Sequence, residues 1–175
     1  ASSITLLNTA ADIETLNITG KADLTLGTIP AAITTVDGSK AEGNLTFSNT
    51  TNMTSIKTGS GNDTVTVAFA VASGETINLG AGNDKLVAGA GSVATSTTTV
   101  IDGGAGIDSL DAALVKVGNA KVFENFETLS LTSAITTALD LDLLTKSTIT
   151  SIAKDNNVAH FVKNVQKSQS LTINT

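Results

Sequence analysis

Cysteine, arginine, tryptophan and tyrosine are all missing from this 175-residue chain, and proline, histidine and methionine occur once each. Without cysteine there is no disulfide framework, which fits either a reducing compartment or an exported bacterial chain held by metal instead. All ten basic residues are lysine, the net charge is −6 and the pI is near 4.5, so no basic surface is available for nucleic acid. No run approaches the ~18 apolar residues of a membrane-spanning helix. The five phenylalanines are too few to anchor a conventional core. A stack of similar coils does not need such anchors, because small β-branched side chains pile up in register. With neither an initiator methionine nor a signal peptide, the chain is expected to be one piece of a longer protein.

Threonine makes up about a sixth of the residues, with alanine, serine, leucine and isoleucine behind it. Short stretches alternate apolar with Thr, Ser or Asn: Leu24 to Leu26, Ile33 to Val36, Val65 to Val67, Ile77 to Leu79 and Leu129 to Leu131. That period of two predicts half-buried strands, compatible with a β-sandwich or a solenoid. Leu139 to Leu143 alternates as a strand, although Ala138 to Lys146 also carries a helical spacing, and strand is favoured. The stretch from Ala153 to Asn164 fits a coil with a longer loop. Helix is otherwise nearly absent.

Internal repeats choose between the two architectures. Thr58-Gly59-Ser60-Gly61-Asn62-Asp63, Leu79-Gly80-Ala81-Gly82-Asn83-Asp84 and Gly103-Gly104-Ala105-Gly106-Ile107-Asp108 align, with aspartates 21 and 24 residues apart. Recurrence near this spacing marks the same corner of successive coils. The expected fold is all-β: one parallel β-helix or β-roll over residues 1–175, with turn-bearing coils at about 56–112 and flanking coils at 1–55 and 113–175. A second repeat sets Ile13 to Thr19 against Phe126 to Thr132, with Glu14 matching Glu127; Leu45 to Phe47 is echoed by Leu171 to Ile173.

The glycine turns predict a metal. Glycine lets the backbone reverse with positive φ, and such a curl points carbonyl oxygens inward while the aspartate adds charge. Coils stacked about 4.8 Å apart bring two half-sites face to face. Their roughly six oxygens, with no nitrogen or sulfur, suit calcium better than magnesium. Two carboxylates at about 5 Å repel by about 3 kcal/mol at an effective dielectric near 20, opposing stacking until a cation arrives. At millimolar calcium a site with a dissociation constant near 10⁻⁴ M contributes about 2 kcal/mol. Three turns make two sites, Asp63 with Asp84 and Asp84 with Asp108. Asp102 is either an extra metal oxygen or an exposed turn residue.

The segment Gly103 to Asp111 resembles the RTX nonapeptide G-G-x-G-x-D-x-U-x; Thr58 and Leu79 replace its first glycine in the other copies. One copy per long coil implies a single metal column. Set among Thr/Ala/Ser-rich strands, with Phe126 to Leu131, Ile33 to Ala41 and Asn164 to Ile173 as further matching phrases, the chain is similar to crystalline surface-layer proteins of Gram-negative bacteria. That resemblance implies calcium dependence, type I secretion, a cell-surface location and self-assembly, with contact to surface polysaccharide expected through other domains. An RTX adhesin spacer shares the composition and stays open as an alternative.

No catalytic set emerges, and no enzyme is expected. His160 reads as a surface or loop residue. Glu14 and Glu127, as equivalent repeat positions, read as turn caps rather than a catalytic pair. Asn17, Asn44, Asn49, Asn52 and Asn62 lie in Asn-x-Thr triplets that composition explains, with Asn44 and Asn49 as turn residues flanking a strand. Ile4 to Leu7 and Leu171 to Ile173 look like end strands awaiting partners. Calcium-bridged contacts between molecules are expected at exposed carboxylates such as Asp23, Glu42, Glu75 or Asp155.

Overall fold

The computed structural model describes residues 2–3, 13–49, 53–67, 74–89, 99–132, 138–154, 162–166 and 169–173. In chain order its strands are β1 (Ser2–Ser3), β2 (Thr15–Gly20), β3 (Leu24–Ile29), β4 (Thr35–Ala41), β5 (Leu45–Asn49), β6 (Ser55–Lys57), β7 (Thr64–Val67), β8 (Thr76–Asn78) and β9 (Lys85–Ala88). They continue as β10 (Val100–Asp102), β11 (Ser109–Asp111), β12 (Phe123–Glu124), β13 (Thr128–Leu131), β14 (Leu139–Asp140), β15 (Ser151–Lys154), β16 (Val162–Lys163) and β17 (Ser170–Ile173).

The odd-numbered strands form one nine-stranded sheet, β2 to β12 form a six-stranded sheet, and β14 pairs with β16. The chain therefore visits the two large sheets alternately. Every strand pairing is parallel, as between β7 and β9 or β6 and β8. Parallel neighbours joined by circuits of about twenty residues define a parallel β-solenoid of about six coils, as expected. Among the described residues helix is confined to three short 3-10 turns, at Ala112–Leu114, Ala120–Val122 and Leu141–Leu143. None is long and apolar enough to cross a membrane.

Register builds the core. In the nine-stranded sheet Phe47, Val65, Leu86, Leu110, Leu129 and Ile152 stack as successive partners. In the facing sheet Val36, Ile56, Ile77, Ile101 and Phe123 do the same. All eleven are buried. Each stack is a single file of apolar side chains, which is why few aromatics suffice. The rings of Phe123 and Phe126 meet edge to face within this core, with centroids 6.4 Å apart.

Several local expectations shift. The strand expected at Ile33 to Val36 begins at Thr35 and runs to Ala41, after a turn at 31–32 in which Ile33 N donates to the Pro30 carbonyl (3.0 Å). The Leu139 to Leu143 alternation ends after Asp140, whose carboxylate accepts from the Asp142 N–H (3.1 Å) and caps a 3-10 turn. Asn49 is no turn residue: it ends β5 pointing inward, fully buried. Glu75 is buried, not an exposed bridging carboxylate. Ile4 to Leu7, Asn52, Asp155 and His160 lie outside the described residues.

Candidate functional site: a carboxylate column at one corner

The corner leading into the nine-stranded sheet stacks the glycine turns. β6, β8 and β10 end just before the turns, while β7, β9 and β11 begin immediately after the aspartates. Strand register on both sides therefore fixes each turn over the last. The turn backbones bond directly: Ala81 N donates to the Gly59 carbonyl (2.8 Å), Ala105 N to that of Gly80 (2.9 Å), and Gly82 N to that of Ala105 (2.9 Å). Gly106 shows why glycine is needed. Its φ is 146°, and a Cβ there would lie 1.7 Å from the Gly82 carbonyl oxygen. Gly82 likewise faces the Gly61 carbonyl, at 2.1 Å. The missing Cβ atoms leave a file of backbone oxygens against bare glycine.

Beside this file runs the buried column. Asp63 Oδ1 accepts from Leu45 N (2.6 Å), Asp84 Oδ1 from Asp63 N (2.7 Å) and Asp108 Oδ1 from Asp84 N (2.8 Å). All three aspartates are buried. The second oxygen of Asp63 accepts from Gly59 N (3.2 Å), but those of Asp84 and Asp108 have no hydrogen-bond partner. Burial without compensation disfavours the charged form. It raises the Asp63 carboxyl above its ordinary range against the N–H of Leu45. Asp84 is pushed up to about 7 by desolvation, with Asp63 and Asp108 repelling it. Asp108 rises to about 6 through desolvation, with repulsion from Glu127 and Asp102.

The other motif positions do different work. Asn62 Oδ1 accepts from Asn83 N (2.7 Å), and Asn83 Oδ1 from Ile107 N (2.9 Å), forming an exposed ladder that starts at Asp23 and Asn44. Thr58 is buried and its hydroxyl donates to the Leu79 carbonyl, while Leu79 itself is core. Ser60 is exposed, its N–H on the Ala41 carbonyl (2.9 Å). Asp102 ends β10 half-buried, and its carboxylate accepts from Gly104 N (2.9 Å), Asn125 Nδ2 (2.8 Å) and Asn78 Nδ2 (3.1 Å). It braces the turn.

Glu14 and Glu127 are not equivalent in space. Glu14 precedes β2 in the six-stranded sheet, whereas Glu127 precedes β13 in the nine-stranded one. Their shared Glu-Thr-Leu marks a strand start, which either sheet can use. Glu127 instead continues the acidic column: its Oε2 accepts from Asp108 N (2.9 Å). Sequence reasoning missed this member. The signal was present, since Asp63-Thr-Val, Asp84-Lys-Leu, Asp108-Ser-Leu and Glu127-Thr-Leu share one pattern.

The donor set fits a hard cation. It offers carboxylate and carbonyl oxygen only, includes two buried carboxylate oxygens without partners, and stacks turn carbonyls closely against glycines that carry no Cβ. Among the described residues no group of three or more His, Cys, Asp or Glu gathers as a metal set, so a cation would depend on backbone carbonyls for most of its ligands. Comparison with protein-family models, curated proteins and solved structures finds no match for this chain.

Proposed function

We propose that this solenoid is a structural, non-catalytic building block of an exported bacterial surface layer, stabilised by calcium along its carboxylate column and self-assembling into a two-dimensional array. The observation that carries the metal reading is the pair of buried, unpartnered oxygens on Asp84 and Asp108. Hydrogen bonding alone does not account for them: a neutral amide accepts a backbone N–H one residue earlier in the first two turns, at Asn62 and Asn83. An ionised carboxylate in that position carries a buried charge, which a bound cation compensates without protonation. Asp63 with Asp84, and Asp84 with Asp108, would hold calcium between coils, with glycine-turn carbonyls completing the shell. Bound calcium would neutralise the column and add its binding free energy to coil stacking.

The surface reading is supported by an acidic, rigid, repetitive fold and by the resemblance of the turns to RTX repeats. Exposed Asp23 and Glu42 are available for bridging between molecules; Glu42 lies 3.1 Å from Lys21. Chelation tests the metal. Excess chelator should abolish β-type circular dichroism over at least the region 58–111 and calcium should restore it, whereas an unchanged spectrum and midpoint would remove calcium from the account. Electron microscopy with added calcium tests assembly: ordered sheets support the array, and isolated rods move the function to an adhesin spacer.

A further inference from the structure

The glycine-turn column stops at Gly106, but the acidic column does not. Register places Asp102 beside Glu124 and Ser109 beside Thr128. Between those fixed points the lower coil has residues 103–107 before Asp108, while the upper has only Asn125 and Phe126 before Glu127. The upper turn is three residues shorter and contains no glycine. Two features compensate. Asn125 takes the left-handed conformation, φ 56°, in the turn leading to Glu127. Glu127, one methylene longer than aspartate, reaches back to the Asp108 N–H.

At this junction a glycine lets two oxygens come close together. A Cβ built on Gly103 would lie 2.2 Å from the Asn125 carbonyl oxygen, 2.9 Å from Asp108 Cβ and 3.1 Å from Asp108 Oδ2, so the two oxygens converge on the same side of Gly103, packed against its bare Cα. Asp108 is wholly buried, and its Oδ2 has no hydrogen-bond partner. Glu127 spends only Oε2 on the Asp108 N–H. The neighbouring cation, Lys146, is already paired with Glu124. Asn125 is pinned by Asp102 through its side chain and by the Lys146 carbonyl through its N–H (3.0 Å), which holds its own carbonyl in place.

We propose that Asp108, Glu127 and the Asn125 carbonyl form a third inter-coil cation site, outside the glycine-aspartate motif, that terminates the column at its upper end. The proposal rests on the calcium reading above. With a shorter turn and fewer stacked carbonyls than the lower positions, this site should bind calcium more weakly and fill last. It gives the column a different end from the lower one, where Leu45 stands in line below Asp63 and supplies only its N–H.

Glu127→Gln tests it in the whole chain, because an amide oxygen can still accept from Asp108 N while the charge is lost. Calcium bound per chain is measured by equilibrium dialysis, and backbone amide shifts are followed by NMR during titration with calcium chloride. The expected result is one ion fewer than wild type. Gly103 and Asn125 should shift late in wild type and not at all in the variant, while Gly80 and Gly82 respond in both. An unchanged stoichiometry in the variant, or silent Gly103 and Asn125 amides in wild type once Gly80 and Gly82 are saturated, overturns the third site and leaves the lower two standing. A wild-type chain that binds no calcium overturns the underlying reading and this site with it. If Glu127→Gln does not fold, the wild-type shifts decide alone.

Discussion

Two ladders climb the same corner side by side, one of amides and one of carboxylates. The amide ladder is exposed, and each Asn side chain accepts from the coil above. The carboxylate ladder is buried, and each acidic side chain accepts from the coil below. Both satisfy backbone N–H groups that the turn would otherwise leave without partners. They differ in charge and burial, and in the oxygens left over. The amide ladder needs nothing further for structural integrity, whereas the carboxylate ladder is complete only when its charge is compensated by protons or by a cation.

The largest test of that contrast is pH in the absence of metal. The Asp84 and Asp108 carboxyls are raised in the folded state, to about 7 and about 6, above an ordinary value of 3.8. The folded protein then holds more protons than the unfolded one between these values. Stability from this source is fully present below about pH 4 and is lost as pH rises through 6 to 7, by a few kcal/mol in all. Thermal melts in chelator should show a falling midpoint across that window, and calcium should restore it most at pH 8. A metal-free midpoint that rises from pH 5 to pH 8 would reverse the sign and defeat the argument.

Next in size is Asp84→Ala. It leaves the buried Asp63 N–H unpaired, costing about 1–3 kcal/mol in urea titrations even under chelator. It should also remove more bound calcium than Asp63→Ala, because Asp84 serves the positions on either side of it whereas Asp63 serves one. Equal calcium losses from the two changes would contradict shared sites.

Asp84→Asn separates the two roles. The amide oxygen can keep the bond to Asp63 N while the charge disappears. At pH 8 in chelator the variant should be more stable than wild type by about 1 kcal/mol, yet gain less from calcium. A variant that gains as much from calcium as wild type would show that the carboxylate charge is not what the metal uses. The smallest effect belongs to Asn62→Ala on the exposed ladder. It should cost under about 1 kcal/mol, since water can replace the lost acceptor, and leave the calcium response unchanged in the same melts.

Much of this arrangement was readable beforehand. Glycine-aspartate turns 21 and 24 residues apart announced stacked coils, and the hydrogen bonds linking Asp63 to Asp84 and Asp84 to Asp108 span those same intervals. What stayed hidden depended on which sheet a local phrase joins. Glu-Thr-Leu begins a strand in either sheet, so Glu14 and Glu127 looked alike while only Glu127 entered the column. Asn49 and Glu75 are polar residues held inside, against the preference of their side chains for water. The direct N–H to Oδ1 bonds are not legible either, because a glycine-aspartate turn does not reveal which backbone donor of the next coil will face the carboxylate. Those bonds tie one oxygen of each aspartate to its neighbouring coil before any cation is considered.

The opposed sense of the two ladders gives each coil that carries both of them a polarity at its rim. Looking up from the coil of Asn62 and Asp63, the next coil meets an acceptor at the Asn62 side chain and a donor at the Asp63 N–H, one residue apart. An incoming turn must present its own donor at the first place and its acceptor at the second, as Asn83 N and Asp84 Oδ1 do. A slip of one residue would set acceptor against acceptor in one direction or donor against donor in the other, besides turning every core side chain outward. The corner therefore acts as a keyed joint, and the same key confronts any foreign β-edge that approaches. A solenoid built from short, chemically similar threonine-rich strands has many near-equivalent pairings open to it, and this two-pin joint is what tells one coil where the next must sit.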